Sequence, residues 1–198
     1  MVAPVRLGEE LCNIQWAMLR EDLGDGLELA LAVPQHAEAI FELIDRNRQH
    51  LRRWLPFADA TKSPADTRAF IEGQLRDLIA GRALTIVIYH RGRPVGLMSL
   101  NRIDPVNRTT AIGYWIDERE TGQGIVTRAV RRLVSLAFDN FPVDRVEIHC
   151  APDNKASCAI PQRLGFTREA VLRRSLRAHE YVDDRVIWGL LREEWQKD

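Results

Sequence analysis

Two glycines one residue apart, Gly122 and Gly124, separate a run that reads as a strand ending in Tyr114-Trp115-Ile116 from a run that reads as a helix starting at Ile125. Glycine lets backbone N–H groups approach an anion closely, and a helix N-terminus adds unpaired donors and the positive end of its dipole. The segment Arg119-Glu120-Thr121-Gly122-Gln123-Gly124 is therefore a candidate phosphate cradle. It has neither the Lys-Ser/Thr pair of a P-loop nor the three glycines of a dinucleotide fingerprint, and a plain strand–helix turn would use the same glycines. A second polar group follows: Glu147 and His149 on a short strand-like run, then Asn154 and Ser157. Glu147 and His149 share a strand face by the two-residue alternation, and a histidine near its ordinary pKa of about 6.5 can take a proton at neutral pH. A hydrogen-bonded strand histidine and a structural ion pair would account for the same two residues. His179 and Glu180 are weaker candidates of the same kind. Cys150 and Cys158 read as small buried residues, because nothing in the sequence pairs either with a base.

Those residues need elements to hold them. Gly24-Asp25-Gly26 marks a turn, and Leu27 to Val33 reads as a short strand. Pro34 opens an amphipathic helix with Ala37, Ile40, Phe41 and Ile44 at helical spacing, reaching about residue 49. Ser63-Pro64-Ala65-Asp66 has the signature of a second helix start, which Gly81 ends. Leu84 to Tyr89, Val95 to Asn101 and Thr109 to Ile116 form an antiparallel meander, with Arg91-Gly92 as a tight turn. A helix carrying Ile125, Ala129, Leu133, Leu136 and Ala137 on one face runs to about Asn140. Arg145 to Ala151 is a strand, Asn154 to Leu164 a short helix, and Val171 and residues 180–190 two final strands. The order β-α-α-β-β-β-α-β-α-β-β is a mixed α/β sheet with helices packed on it. Residues 1–26, with Ile14 to Leu19 open to a strand or a helical turn, stand apart as an N-terminal extension to a domain covering 27–198.

The whole-chain properties narrow the function classes. The chain has 198 residues, 45% of them hydrophobic, enough for one well-cored domain. Twenty-eight basic residues balance 28 acidic ones, so the surplus that marks a nucleic-acid binder is missing, although Arg168, Arg173, Arg174 and Arg177 could form a local patch. No stretch has the roughly 20 apolar residues of a membrane span, and the N-terminus lacks the apolar core of a signal peptide. The three cysteines lack metal-ligand spacing and read as reduced thiols. The expectation is a soluble cytoplasmic protein with no metal, no membrane and no nucleic acid.

Read together, the two chemical segments resemble the GNAT superfamily of N-acyltransferases. Its cofactor loop, Arg/Gln-x-x-Gly-x-Gly/Ala, is filled by Arg119 to Gly124, and its later Asn-x-x-Ser/Ala followed by Gly-Phe is matched by Asn154, Ser157, Gly165 and Phe166. Asn47-Arg48, Leu51-Arg52-Arg53-Trp54-Leu55-Pro56, Ser63-Pro64, Asp66-Thr67, Gly113-Tyr114-Trp115-Ile116 and Arg145-Val146-Glu147-Ile148 are in the style of the RimJ/RimL branch, which includes acetylases of ribosomal-protein N-termini. The resemblance covers roughly residues 27–190. It implies a mostly antiparallel sheet of about seven strands, splayed in the middle and flanked by about four helices. It also implies acetyl-CoA, or another acyl-CoA, as co-substrate, held by Trp115, Ile116, Arg119, Thr121, Gly122, Gln123, Gly124, Ile125, Thr127, Asn154 and Ser157. Ser157, near the thioester sulfur, becomes the proton donor for the departing thiolate, and His149 or Glu147 the base. Trp54 and Phe57 would border the acceptor, or else staple two helices together.

This sequence departs from the family pattern in three places. Pro161 stands where many relatives carry a tyrosine acid, Leu176 where the RimL type has a glutamate, and Ala111 where many relatives have glutamate at a strand start. The first acceptor to expect is a protein N-terminal α-amine. A polyamine or aminoglycoside-like amine, with a donor such as succinyl-CoA, is the alternative of the same chemistry. A non-catalytic acyl-CoA sensor is the alternative of another class. Dimerisation rests on family analogy alone.

Overall fold

The structure is a computed structural model that describes residues 20–178 and 181–196; His179, Glu180 and the 14–19 segment lie outside them. One sheet of eight strands runs in the order β1-β2-β3-β4-β5-β6-β8-β7. β1 (Glu21–Asp22), β2 (Leu27–Leu31), β3 (Leu84–His90), β4 (Arg93–Asp104) and β5 (Thr109–Ile116) are antiparallel neighbours. β6 (Arg145–Cys150) lies parallel to β5, and β8 (Tyr181–Leu191) and β7 (Thr167–Ala178) complete that end antiparallel. The meander and the element order match the sequence reading. Among the described residues, the differences are one extra strand and two extra helices.

Six helices flank the sheet: α1 (Ala37–Arg46), α2 (Arg48–Arg52), α3 (Phe57–Ala60), α4 (Pro64–Ile79), α5 (Ile125–Asn140) and α6 (Lys155–Arg163). The expected single helix from Pro34 breaks at Asn47, whose side-chain amide turns back to donate to the Leu43 carbonyl at 2.9 Å. α2 and α3 are single turns, too short to show a helical period. α4 begins as its sequence indicates: Ser63 is extended and its hydroxyl accepts the Asp66 N–H at 3.2 Å. β1 escaped the pattern because two residues carry no alternation. It ties residues 21–22 to β2, and the glycine turn behind it is held by Arg128 of α5, which pairs with Asp25 at 3.0 Å.

Two apolar clusters lie on opposite faces. Ile86 and Ile88 of β3 join the buried face of α5 (Ala129, Val130, Leu133, Val134 and Ala137), while Val87 between them joins Ile40, Leu43, Leu51, Ala58 and Ile71 from α1 to α4. Strand alternation and the 3.6-residue helix period meet here as they must for a two-sided sheet.

The feature that sets up the site is a break in pairing. β5 and β6 are in register only from Thr109–Arg145 to Ile112–Ile148. Beyond that, β5 stays with β4 as far as Gly96–Ile116, and β6 stays with β8 as far as Cys150–Val186. A wedge opens between Gly113–Ile116 and His149–Cys150, as the resemblance implied. Gly96 lets β4 follow β5 to the tip, since a Cβ there would lie 2.3 Å from the Trp115 carbonyl oxygen.

Candidate active site

The wedge opens on a cavity of about 440 Å³ lined by residues of elements from both faces of the sheet. Its walls on one side are Tyr114, Trp115, Ile116, Thr121, Gly122, Gly124, Ile125 and Thr127, and on the other His149, Cys150, Asn154, Ser157 and Arg163. His50 and Leu51 of α2, with Trp54 and Leu55 just after it, line its other end.

The loop between β5 and α5 is built to leave donors free. Gly122 and Gly124 have φ of 79° and 76°, which side-chain-bearing residues rarely adopt. Neither has an atom within 4 Å of where a Cβ would stand, so backbone angle and not crowding demands glycine. Within the described residues, the backbone N–H groups from Gly122 through Thr127 find no acceptor, and the first helical bond runs from Arg128 to Gly124. Successive donors alternating with left-handed residues at a helix N-terminus make an anion-binding concavity.

That loop is pinned from behind. The Asp117 carboxylate, 5% exposed, accepts from Arg46 Nε and Nη2 at 3.1 and 2.9 Å and from the Arg119 N–H at 3.1 Å. Asn47 Oδ1 accepts the Glu118 N–H at 3.0 Å. Burial works to raise the Asp117 carboxyl, but the Arg119 N–H and the Arg46 guanidinium outweigh it and hold the group below its ordinary value. A group lowered by folding stabilises the protein above its unfolded pKa, and that contribution is lost as pH falls through the native value. Asp117→Asn is therefore expected to cost about 1.5–3 kcal/mol at pH 7, in a chemical denaturation that shows the gap to wild type closing as pH falls below the carboxylate range. The Glu120 carboxylate lies 2.8 Å from the buried His90 Nδ1 and accepts from Gln123 Nε2 at 3.1 Å. Arg119 and Gln123 are not among the cavity-lining residues; the Gln123 amide braces the loop by donating to the Arg119 carbonyl at 3.4 Å and to Glu120, while its backbone N–H stays among the free donors.

On the opposite wall, Asn154 caps α6: its Oδ1 accepts the Ser157 N–H at 3.1 Å. Pro161, inside α6, has no N–H, so the Ser157 carbonyl loses its partner one turn later. The Tyr114 hydroxyl fills that place, donating to the Ser157 carbonyl at 3.0 Å across the wedge, while Ser157 Oγ donates to the Tyr114 oxygen at 3.2 Å. Burial pushes the Tyr114 phenol well above its usual value, so it remains a neutral donor. Tyr114 is the residue the sequence reading overlooked. Its signal was Pro161, which orphans a carbonyl within reach of β5.

His149 lines the cavity, and its Nε2 lies 2.7 Å from Glu147 Oε2. Glu147 itself stands off the cavity wall, its other oxygen accepting from Arg145 Nε at 2.9 Å. Cys150 and Cys158 touch, Sγ to Sγ, at 2.9 Å, and burial pushes the Cys150 thiol up to about 12, which suits a packing residue. Trp54 reaches the cavity. Phe57 does not; it packs on Trp115, ring centroids 6.2 Å apart, and faces a neighbouring pocket.

Comparison with known proteins fits this geometry. Residues 27–167 match the acetyltransferase (GNAT) domain. YdaF of Bacillus subtilis (strain 168), provisionally named a ribosomal N-acetyltransferase, is 35% identical over 176 residues, covering 88% of this chain and 96% of its own. The ribosomal-protein-serine acetyltransferase of Escherichia coli (strain K12) is 31% identical, covering 82% and 90%. Among solved structures, RimL, a ribosomal L7/L12 α-N-protein acetyltransferase in complex with coenzyme A, superposes with a TM-score of 0.84 at 27% identity, over 88% of this chain and 99% of that one.

Proposed function

The chain belongs to the GNAT acetyltransferase family and is an N-acetyltransferase that uses acetyl-CoA; from that premise we propose that its acceptor is the N-terminal α-amine of a protein, a ribosomal protein first of all. The observation that carries the reading is a single cavity lined by the glycine loop, the β5 edge and the residues after α2. Unpaired N–H donors line one end, the free edge of β5 the middle, and Trp54 and Leu55 the far end, where an acceptor can enter opposite the donor. The two curated relatives, both named for ribosomal substrates, support the acceptor class.

Each residue has a task in this reading. The N–H groups of Gly122 to Thr127 bind the pyrophosphate. The exposed edge of β5 beyond Ile112 takes the pantetheine arm as an extra strand, and the side-chain NH2 of Asn154, whose oxygen is spent on the helix cap, donates to it. A protein α-amine has a pKa of about 7.7–8.0 and arrives mostly protonated. His149 accepts its proton, with Glu147 holding Nε2 so that Nδ1 is the basic atom. The amine nitrogen then bonds to the thioester carbon and the C–S bond breaks; Ser157 Oγ, turning from the Tyr114 oxygen, gives its proton to sulfur and takes up the one the nitrogen sheds as it becomes an amide. A thiolate is a fair leaving group, its thiol having a pKa of about 8.5. The acid step therefore contributes modestly: Ser157→Ala and Tyr114→Phe are each expected to lower kcat about tenfold, below the usual range for a proton-transfer group, with KM for acetyl-CoA within twofold.

The test is acetyl-CoA-dependent thiol release with ribosomal-protein N-terminal peptides, each offered free and N-formylated, beside a polyamine. Release with free peptides alone supports the reading. Release with formylated peptides or the polyamine only would overturn the α-amine assignment.

A further inference from the structure

A second pocket of about 310 Å³ lies against the first and shares Leu55, Gly113, Tyr114 and Trp115 with it. It sits between the sheet and the α1–α4 face, lined by Ile40, Ile44, Phe57, Phe70, Leu97 and Met98. Phe57 and Phe70 stand at 36% and 48% exposure, large apolar side chains with uncovered surface beside an apolar pocket. Its polar atoms are few. Ser99 Oγ is committed to Asn101 Oδ1 at 3.0 Å, and Thr85 Oγ1 to Gln74 Oε1 at 2.7 Å. The Thr67 hydroxyl, on a residue 2% exposed, is buried with no partner.

Resting on the reading of an N-terminal α-amine as acceptor, the geometry points to this pocket as the seat of the acceptor's first side chain, and assigns that side chain as a large apolar one: Met, Leu or Phe. The shared wall of Gly113 to Trp115 belongs to the β5 edge that the proposed function gives to pantetheine, so an α-amine brought to it has its own side chain beside this second pocket. An apolar cavity of about 150 Å³ takes a benzene ring, so this one is ample for a phenyl or thioether side chain. A serine hydroxymethyl group would leave most of it unfilled and would gain little from its apolar walls.

One peptide scaffold with the first residue varied among Ser, Ala, Met, Leu and Phe tests the assignment by kcat/KM at saturating acetyl-CoA. The large apolar residues are expected to exceed Ser and Ala by at least about tenfold, the range one or two methylenes can command in an apolar pocket. Ser or Ala equal to the best of the large residues overturns it. In Thr67→Phe, which fills the pocket, the ratio of the Leu to the Ala peptide is expected to fall at least fivefold; because it is a ratio within one variant, partial loss of folded protein cancels. A ratio unchanged from wild type in Thr67→Phe also overturns it. Failure of the parent reading looks different: no peptide of the series is turned over, while acetyl-CoA still binds by calorimetry and a polyamine is acetylated.

Discussion

Gly124→Val lowers kcat/KM for acetyl-CoA by about a hundredfold or more and leaves a folded protein. Gly124 caps α5 with φ at 76°, where a side-chain-bearing residue costs roughly 1–2 kcal/mol and a β-branched one more. The chain can keep that angle under strain or relax it, and relaxing it swings the Gly124 and Ile125 N–H groups out of the cradle. Each hydrogen bond to a charged group contributes about 1.5–3 kcal/mol, so two lost bonds account for the hundredfold. The melting temperature should fall by only a few degrees, since about 1 kcal/mol shifts a chain of this size by about 2–4 °C, and the new Cβ meets no atom within 4 Å. Calorimetric titration with acetyl-CoA and a melting curve decide it. A variant that binds acetyl-CoA normally would remove the pyrophosphate role from this loop.

His149→Ala is expected to lower kcat at pH 7 by about a hundredfold, the lower end of what a positioned general base contributes. KM for acetyl-CoA should stay put, because the N–H donors at the other end of the cavity are untouched. The deficit should shrink as pH rises past the acceptor's own pKa of about 8, where most of the amine arrives neutral. Glu147→Gln separates a positioning residue from the base it serves. It keeps shape but weakens the hold on His149 Nε2, so its loss should be near tenfold and should vanish in the His149→Ala background. Equal activity of His149→Ala and wild type across the pH range would mean that the proton leaves by another route.

Much of this was legible in the chain itself. Long periodic elements gave themselves away: the face Ile125-Ala129-Leu133 of α5, the three meander strands, and the Ser63-Pro64 start of α4 all form where their spacing indicates. The loop before α5 was legible because two glycines one residue apart mark left-handed backbone, and both take positive φ there. What escaped depends on distant partners. Tyr114 and Ser157 are 43 residues apart, and only the fold brings the orphaned carbonyl above Pro161 to the phenol. Glu147 and His149 share a face as alternation requires, yet alternation cannot say that Arg145 draws one of them off the cavity. Gln123 fills a motif position, but the motif cannot say that its side chain turns back onto Arg119 and Glu120 while its N–H stays free. α2 and α3 were missed because a single turn has no period to detect.

The early end of the β5–β6 ladder has a further consequence. A strand edge with free amide and carbonyl groups is where foreign chains add and aggregation begins. Here two such edges face each other in the interior of the sheet, each anchored on its outer side by a full ladder. The Tyr114–Ser157 hydrogen bond crosses their gap like a stay. Pantetheine, whose two amides are joined by bare methylenes and which is branched only at its pantoyl end, offers such an edge strand-like donors and acceptors. The same geometry that exposes backbone to the donor substrate thereby hides it from other proteins.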